Sequence, residues 1–242
     1  NWSEEHAAIE KADTYGKEGT LTIKNDVNND GSKKTGKDTD TTGTLLAGGY
    51  HDAAAIGGGE GEFANTSNII ITGGKITASG GTYGAGIGGG YAGDASNIRI
   101  EGNADVTAFG NSGAAIGSGY HSRGSSGSDI TITDHATVTA AGLDGCGIGG
   151  GQDASGKVTI TISGHASVNA QTRNPPAAIG NDHSSTTVNI KDNADVTAVS
   201  DGVAIGTGYG YTNTSTVVNI TGGTVNAVTC DDSRPAIGTV KG

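Results

Sequence analysis

Along this chain, short runs with an apolar residue at every second position recur at regular intervals, and each run is too short for a helix. One set reads NIIIT from Asn68, NIRIE from Asn97, DITIT from Asp129, VTITIS from Val158, TVNIK from Thr187 and VVNIT from Val217. Pairs such as Ile69/Ile71, Ile98/Ile100 and Ile130/Ile132 have the period of a half-buried strand. A turn of Gly, Asn, Asp or His follows each run, the residue types that accept positive φ most readily. A second strand comes next, KITA, DVTA, TVTA, SVNA, DVTA and TVNA, with Ile76, Val106, Val138, Val168, Val196 and Val225 as its inward column.

A third element closes each unit. It reads AAIGGG at Ala54, AGIGGG at Ala85, AAIGSG at Ala114, CGIGGG at Cys146, AAIGND at Ala177, VAIGTG at Val203 and PAIGTV at Pro235. The isoleucines Ile56, Ile87, Ile116, Ile148, Ile179, Ile205 and Ile237 lie 31, 29, 32, 31, 26 and 32 residues apart. A period near thirty with three strands per period predicts an all-β fold, a right-handed parallel β-helix. The expected architecture is a three-sided solenoid of about seven coils over residues 19–242, with an insertion at 24–43. Residues 1–18 are expected to cap it, through a short helix in Ser3–Asp13.

Composition agrees with this. Of 242 residues 45 are Gly and none is Met, so Ile, Val and Ala must fill the interior. Three prolines without a three-residue period exclude collagen. The formal charge of −11 argues against a nucleic-acid partner, which needs clustered Lys and Arg. No apolar run suits membrane insertion. The start at Asn1 is expected of a mature or excised form. Cys146 and Cys230 fall three coils apart, roughly 14 Å at the strand spacing, too far for a disulfide.

Four features carry candidate chemistry. Asp26, Asn28 and Asp30, followed by Gly31, form the first half of an EF-hand-like loop and would suit calcium as a cofactor, yet Lys37 stands where the closing Glu belongs. A plain polar turn is the competing reading. Tyr91, Tyr120, Tyr209 and Tyr211 follow the glycine signature in one connection. They could stack on sugar rings beside Asp94, His121, Asp153, Asp182 and His183, or simply cover the glycine-rich corner. A further loop column holds His51, Asp52, Tyr83, Asn111, Asp144, Arg173, Asn174, Asp201, Asp231, Asp232 and Arg234. Its acids could serve glycoside hydrolysis or calcium, and Arg173 or Arg234 proton abstraction in a lyase, although acids also stack by default in a polar β-helix. Outward Thr77, Thr107, Thr139, Asn169, Thr197 and Asn226 suggest an ice-ordering face, which Lys75, Asp105 and Asp195 interrupt.

The alternation of I-T-G-G-K-I-T-A with A-G-I-G-G-G resembles glycine-rich repeat regions in surface proteins of anaerobic Firmicutes. It is similar, more loosely, to carbohydrate-binding β-helices related to polysaccharide lyases. The likeness covers about Gly19–Val240. It implies a secreted or cell-wall-attached protein with a polysaccharide or host glycan as partner, and it supplies no catalytic motif. The leading expectation is a non-catalytic carbohydrate-binding or adhesin module, with Tyr91, Tyr120, Tyr209, Tyr211, Asp153 and Asp182 as the binding set. The alternatives are a lyase or glycoside hydrolase, which may need calcium, and a structural spacer.

Overall fold

The computed structural model describes residues 6–10, 19–24, 43–59, 65–123, 128–174, 176–210 and 214–241. They form a parallel β-helix of three sheets with eight, seven and seven strands. Every strand pairing in it is parallel and joins like positions of successive coils. The first sheet stacks the Ile-Gly pairs, Ile56–Gly57 on Ile87–Gly88 and so on to Ile237. The second stacks the alternating strands, with Ile98, Ile130 and Ile160 in register. The third stacks Val106, Val138, Val168 and Val196.

Alternation decides which side chains enter the interior. Ile69, Ile71, Ile98, Ile100, Ile130, Ile132, Ile160, Ile162 and Ile190 are fully buried, as are the signature isoleucines from Ile56 to Ile205. Each contributes roughly 1.5–3 kcal/mol relative to an exposed side chain. Ala78, Ala108, Ala140, Ala170 and Ala198 form the small column that lets the three sheets approach. In the last coil Val218 and Val225 are only partly buried, because they have a neighbouring coil on one side alone.

The turn column behaves as its residue types predict. Gly74, Gly102, Asp134, Gly164, Asp192 and Gly223 all have positive φ, from +60° to +92°. The signature glycines have a stricter cause. Gly57, Gly88, Gly117, Gly149, Gly180, Gly206 and Gly238 sit at φ between +130° and +144°. In the first six, a Cβ would overlap the carbonyl oxygen of the next glycine in the column. Backbone conformation and coil spacing therefore both demand glycine.

One expectation needs correction. Within the segment expected to form a capping helix, Ile9–Glu10 is a strand and pairs with Ile56–Gly57. Ile9 repeats the inward isoleucine of the first sheet and covers its exposed edge, which a helix could not hydrogen-bond. The rest of residues 1–18, except 6–10, and insertion residues 25–42 lie outside the described set. Among the described residues no helix is long and apolar enough to cross a membrane.

Candidate functional site

The Ile-Gly strands Ile56–Gly57, Ile87–Gly88, Ile116–Gly117 and Ile148–Gly149 are only two residues long, and their flanks fold back on each other. Ala85 N–H donates to the Gly89 carbonyl, Ala114 N–H to Ser118 and Cys146 N–H to Gly150, at 2.9–3.0 Å. This closes a narrow loop around the strand. The connections before and after it, separate in sequence, consequently lie side by side: Tyr120 N–H donates to the Tyr83 carbonyl at 2.8 Å, and Gln152 N–H to Ser112 at 2.8 Å. The two loop columns thus merge into one edge of the solenoid.

Tyr83 from the first connection joins Tyr91 and Tyr120 from the second. Their ring centroids lie 5.9 Å (Tyr83–Tyr91), 5.1 Å (Tyr83–Tyr120) and 6.0 Å (Tyr91–Tyr120) apart. His51 meets Tyr83 edge-on at 5.2 Å, and His121 lies against Tyr120 at 5.1 Å. The three tyrosines are half-buried against one another. Beside them an open hollow of about 460 Å³ has a glycine floor at Gly80, Gly81 and Gly110 and exposed Tyr50, Phe109 and Leu143 around it.

Farther along the same edge stands a polar cluster. Asp153, in the positive-φ corner with φ +56°, donates its backbone N–H to Asp182 Oδ2 at 3.0 Å. His183 Nε2 lies 3.1 Å from Asp153 Oδ1 and 3.3 Å from Asp182 Oδ2. His121 Nδ1 lies 3.9 Å from Asp153 Oδ2. Asp182 is 3% exposed, and its Oδ1 has no hydrogen-bond partner. Burial pushes its carboxyl above the usual carboxylate range, against the opposing pull of the Asp153 N–H and of His183. Tyr209 stacks beside His183 at 5.6 Å and takes the Arg234 guanidinium over its ring at 5.1 Å.

The edge therefore assembles Tyr91, Tyr120, Asp153, Asp182 and Tyr209 from the expected binding set. Tyr211 and the expected calcium ligands Asp26, Asn28 and Asp30 lie outside the described residues. Asp94 is buried, like Asp182, and accepts a hydrogen bond from Ser122. Arg234 is held by Asp231 at 3.0 Å as well as by Tyr209, while Arg173 is exposed. Placing Tyr83, His121 and His183 in one site requires the fold-back of the signature. Strand periodicity alone assigns Tyr83 to a different column.

A model described as beta helix repeat matches residues 69–91, 98–120, 130–152 and 218–239. Each match runs from an alternating strand through the turn and second strand to the glycine signature. The matches cover less than half of the chain and agree with its observed fold, a parallel β-helix built of sequence repeats. No curated protein and no solved structure matches it.

Proposed function

We propose that the chain is a non-catalytic extracellular module of a bacterial surface protein, binding polysaccharide or host glycan along the edge that carries Tyr91, Tyr120 and Tyr209. The observation behind this reading is the convergence of rings and carboxylates from two loop columns on one side of the solenoid. Aromatic faces stack on the C–H faces of pyranose rings, and carboxylates and imidazoles accept or donate to hydroxyls. The hollow between Tyr50 and Phe109 offers an apolar wall next to the tyrosine group. Coils repeat along the axis at ~4.8 Å, so an extended glycan lying parallel to the axis would pass first the tyrosine group and then the polar cluster.

The test is a pull-down on a panel of plant and mucosal polysaccharides, with calcium and with chelator, alongside an assay for released chain ends. Replacing Tyr91, Tyr120 and Tyr209 together with Ala is expected to abolish retention while leaving the unfolding midpoint of the long Ile and Val core little changed. Retention by the folded triple variant would sink the site assignment.

A second reading, glycoside hydrolysis or lyase chemistry, draws on one specific feature. Asp153 and Asp182 lie close together in unlike surroundings, Asp153 with a 40% exposed side chain and Asp182 buried with its carboxyl pushed toward the protonated form. Such a pair can divide acid and base roles. Release of reducing or unsaturated ends, lost in Asp182→Asn, would make this the primary function. Neither retention nor products would leave the spacer reading.

A further inference from the structure

His183 presents the central problem of the polar cluster. Its Nδ1 lies 3.4 Å from the carbonyl oxygen of Tyr209, and its Nε2 lies 3.1 and 3.3 Å from one oxygen each of Asp153 and Asp182. Two carboxyl groups gathered around one imidazole nitrogen favour a positive charge at that point. One ligand atom from each of Asp153, Asp182 and His183 falls within 4.8 Å of the others. The second oxygen of Asp182 is buried and lacks any hydrogen-bond partner, although it shares a carbon with the oxygen beside His183. A fully buried carboxylate oxygen without a donor is costly to leave in place.

We propose that Asp153, Asp182 and His183 form a binding site for a divalent first-row transition-metal cation of the zinc type. One imidazole and two carboxylates are the mixed N/O set that zinc accepts, whereas calcium takes oxygen ligands throughout. The cation would take one atom from each of the three side chains, the buried Asp182 with its unpartnered oxygen among them. The surrounding shell has the expected form. The Tyr209 carbonyl oxygen lies against His183 Nδ1, so the ring presents Nε2 to both carboxyl groups. His121 takes a hydrogen bond from Arg123 on Nε2, while its buried Nδ1 lies 3.9 Å from Asp153 Oδ2, beyond hydrogen-bond reach. Asp182 is held from its own side by the Asp153 N–H, and its backbone N–H donates to the Asn181 side chain at 2.8 Å. This site is distinct from the Asp26–Asp30 loop, and it does not depend on glycan binding.

The experiment is a calorimetric titration of the untagged, chelator-treated full chain with zinc chloride, without carbohydrate, and a parallel titration with calcium chloride. The expected result is one zinc ion per chain in the wild type and in Asp26→Asn. Loss of this binding is expected in His183→Gln and in Asp153→Asn. Thermal melts of each variant under chelator establish that it folds; Asp153, with a 40% exposed side chain, is the substitution least able to disturb packing. No zinc binding by the wild type would overturn the proposal. So would binding unchanged in folded His183→Gln, or a preference for calcium at these residues. Because no glycan is present, failure here leaves the carbohydrate reading intact, and failure of the pull-down leaves this one intact.

Discussion

Gly117 and Gly149 lie one above the other in adjacent coils, at φ +140° and +130°, so close that a Cβ on Gly117 would overlap the Gly149 carbonyl oxygen. The same relationship repeats from Gly57 to Gly238, and it makes the Ile-Gly column a stack of bare backbone. Gly117→Ala is therefore expected to cost more than about 3 kcal/mol, from backbone strain plus displacement of the next coil. Gly48 is the control. Nothing lies within 4 Å of its Cβ position, and Gly48→Ala should stay within about 0.5 kcal/mol of wild type. Urea unfolding of the two variants measures both, and equal midpoints would contradict the steric account.

The isoleucine ladders should resist truncation as a close-packed core does. Ile130 is fully buried between Ile98 and Ile160. Ile130→Ala is expected to cost about 2–5 kcal/mol, the range for a cavity in a core that cannot collapse. Val228, exposed on the third sheet, should lose far less when changed to Ala. Comparing the two by denaturant unfolding separates ladder packing from strand propensity.

These two cases show why the fold was readable in the sequence and the site only partly so. Ile130 and Gly117 each belong to columns with one copy per coil, and a period near thirty aligns those columns before any geometry is known. Asp182 and His183 break their columns. Asn181 and Asp182 stand where other coils carry Gly-Gly or Ser-Gly after the Ile-Gly pair, and His183 stands where Tyr91, Tyr120 and Tyr209 recur, so repetition says nothing about the acid–imidazole pairing. Tyr83 meets Tyr120 because the signature folds back through Ala85–Gly89 and its equivalents, a hydrogen-bonded closure that alternation of apolar residues does not encode. The strand at Ile9–Glu10 is hidden in the sequence for a related reason. Its two residues carry the Ile of the signature without its glycine, and the acids around them read as the start of a helix.

Tyr120 offers a direct probe of the edge. Burial and then the Asp153 charge raise its phenol above the ordinary value, with Tyr91 and Tyr83 adding to the effect. The folded state thus holds this proton more tightly than the unfolded chain. The resulting stability is complete below the unfolded pKa and disappears as pH rises through the folded one. In chelator, ultraviolet titration of wild type minus Tyr120→Phe should isolate a late-ionising phenol. Asp153→Asn should bring that ionisation to lower pH, since it removes a like charge and a hydrogen bond while leaving the burial. An unmoved titration would show that Asp153 does not act on Tyr120.

The two cysteines differ in a way that reports on the integrity of the stack. Both are free; Cys146 is buried in the signature beside Ala177 and Val203, and Cys230 is exposed. Burial pushes the Cys146 thiol far up, and the nearby Asp182 charge adds to it. Thiolate is the reactive form, so access and ionisation both protect Cys146. One equivalent of a thiol reagent is expected to label the native chain rapidly, at Cys230. The second should react only as fast as the coils open, and in denaturant both should react together. Peptide mapping after brief labelling checks the assignment. Rapid modification of Cys146 in the native protein would mean that the signature loop around Ile148 opens independently of the core, contrary to its hydrogen-bonded closure through the Cys146 N–H and the Gly150 carbonyl.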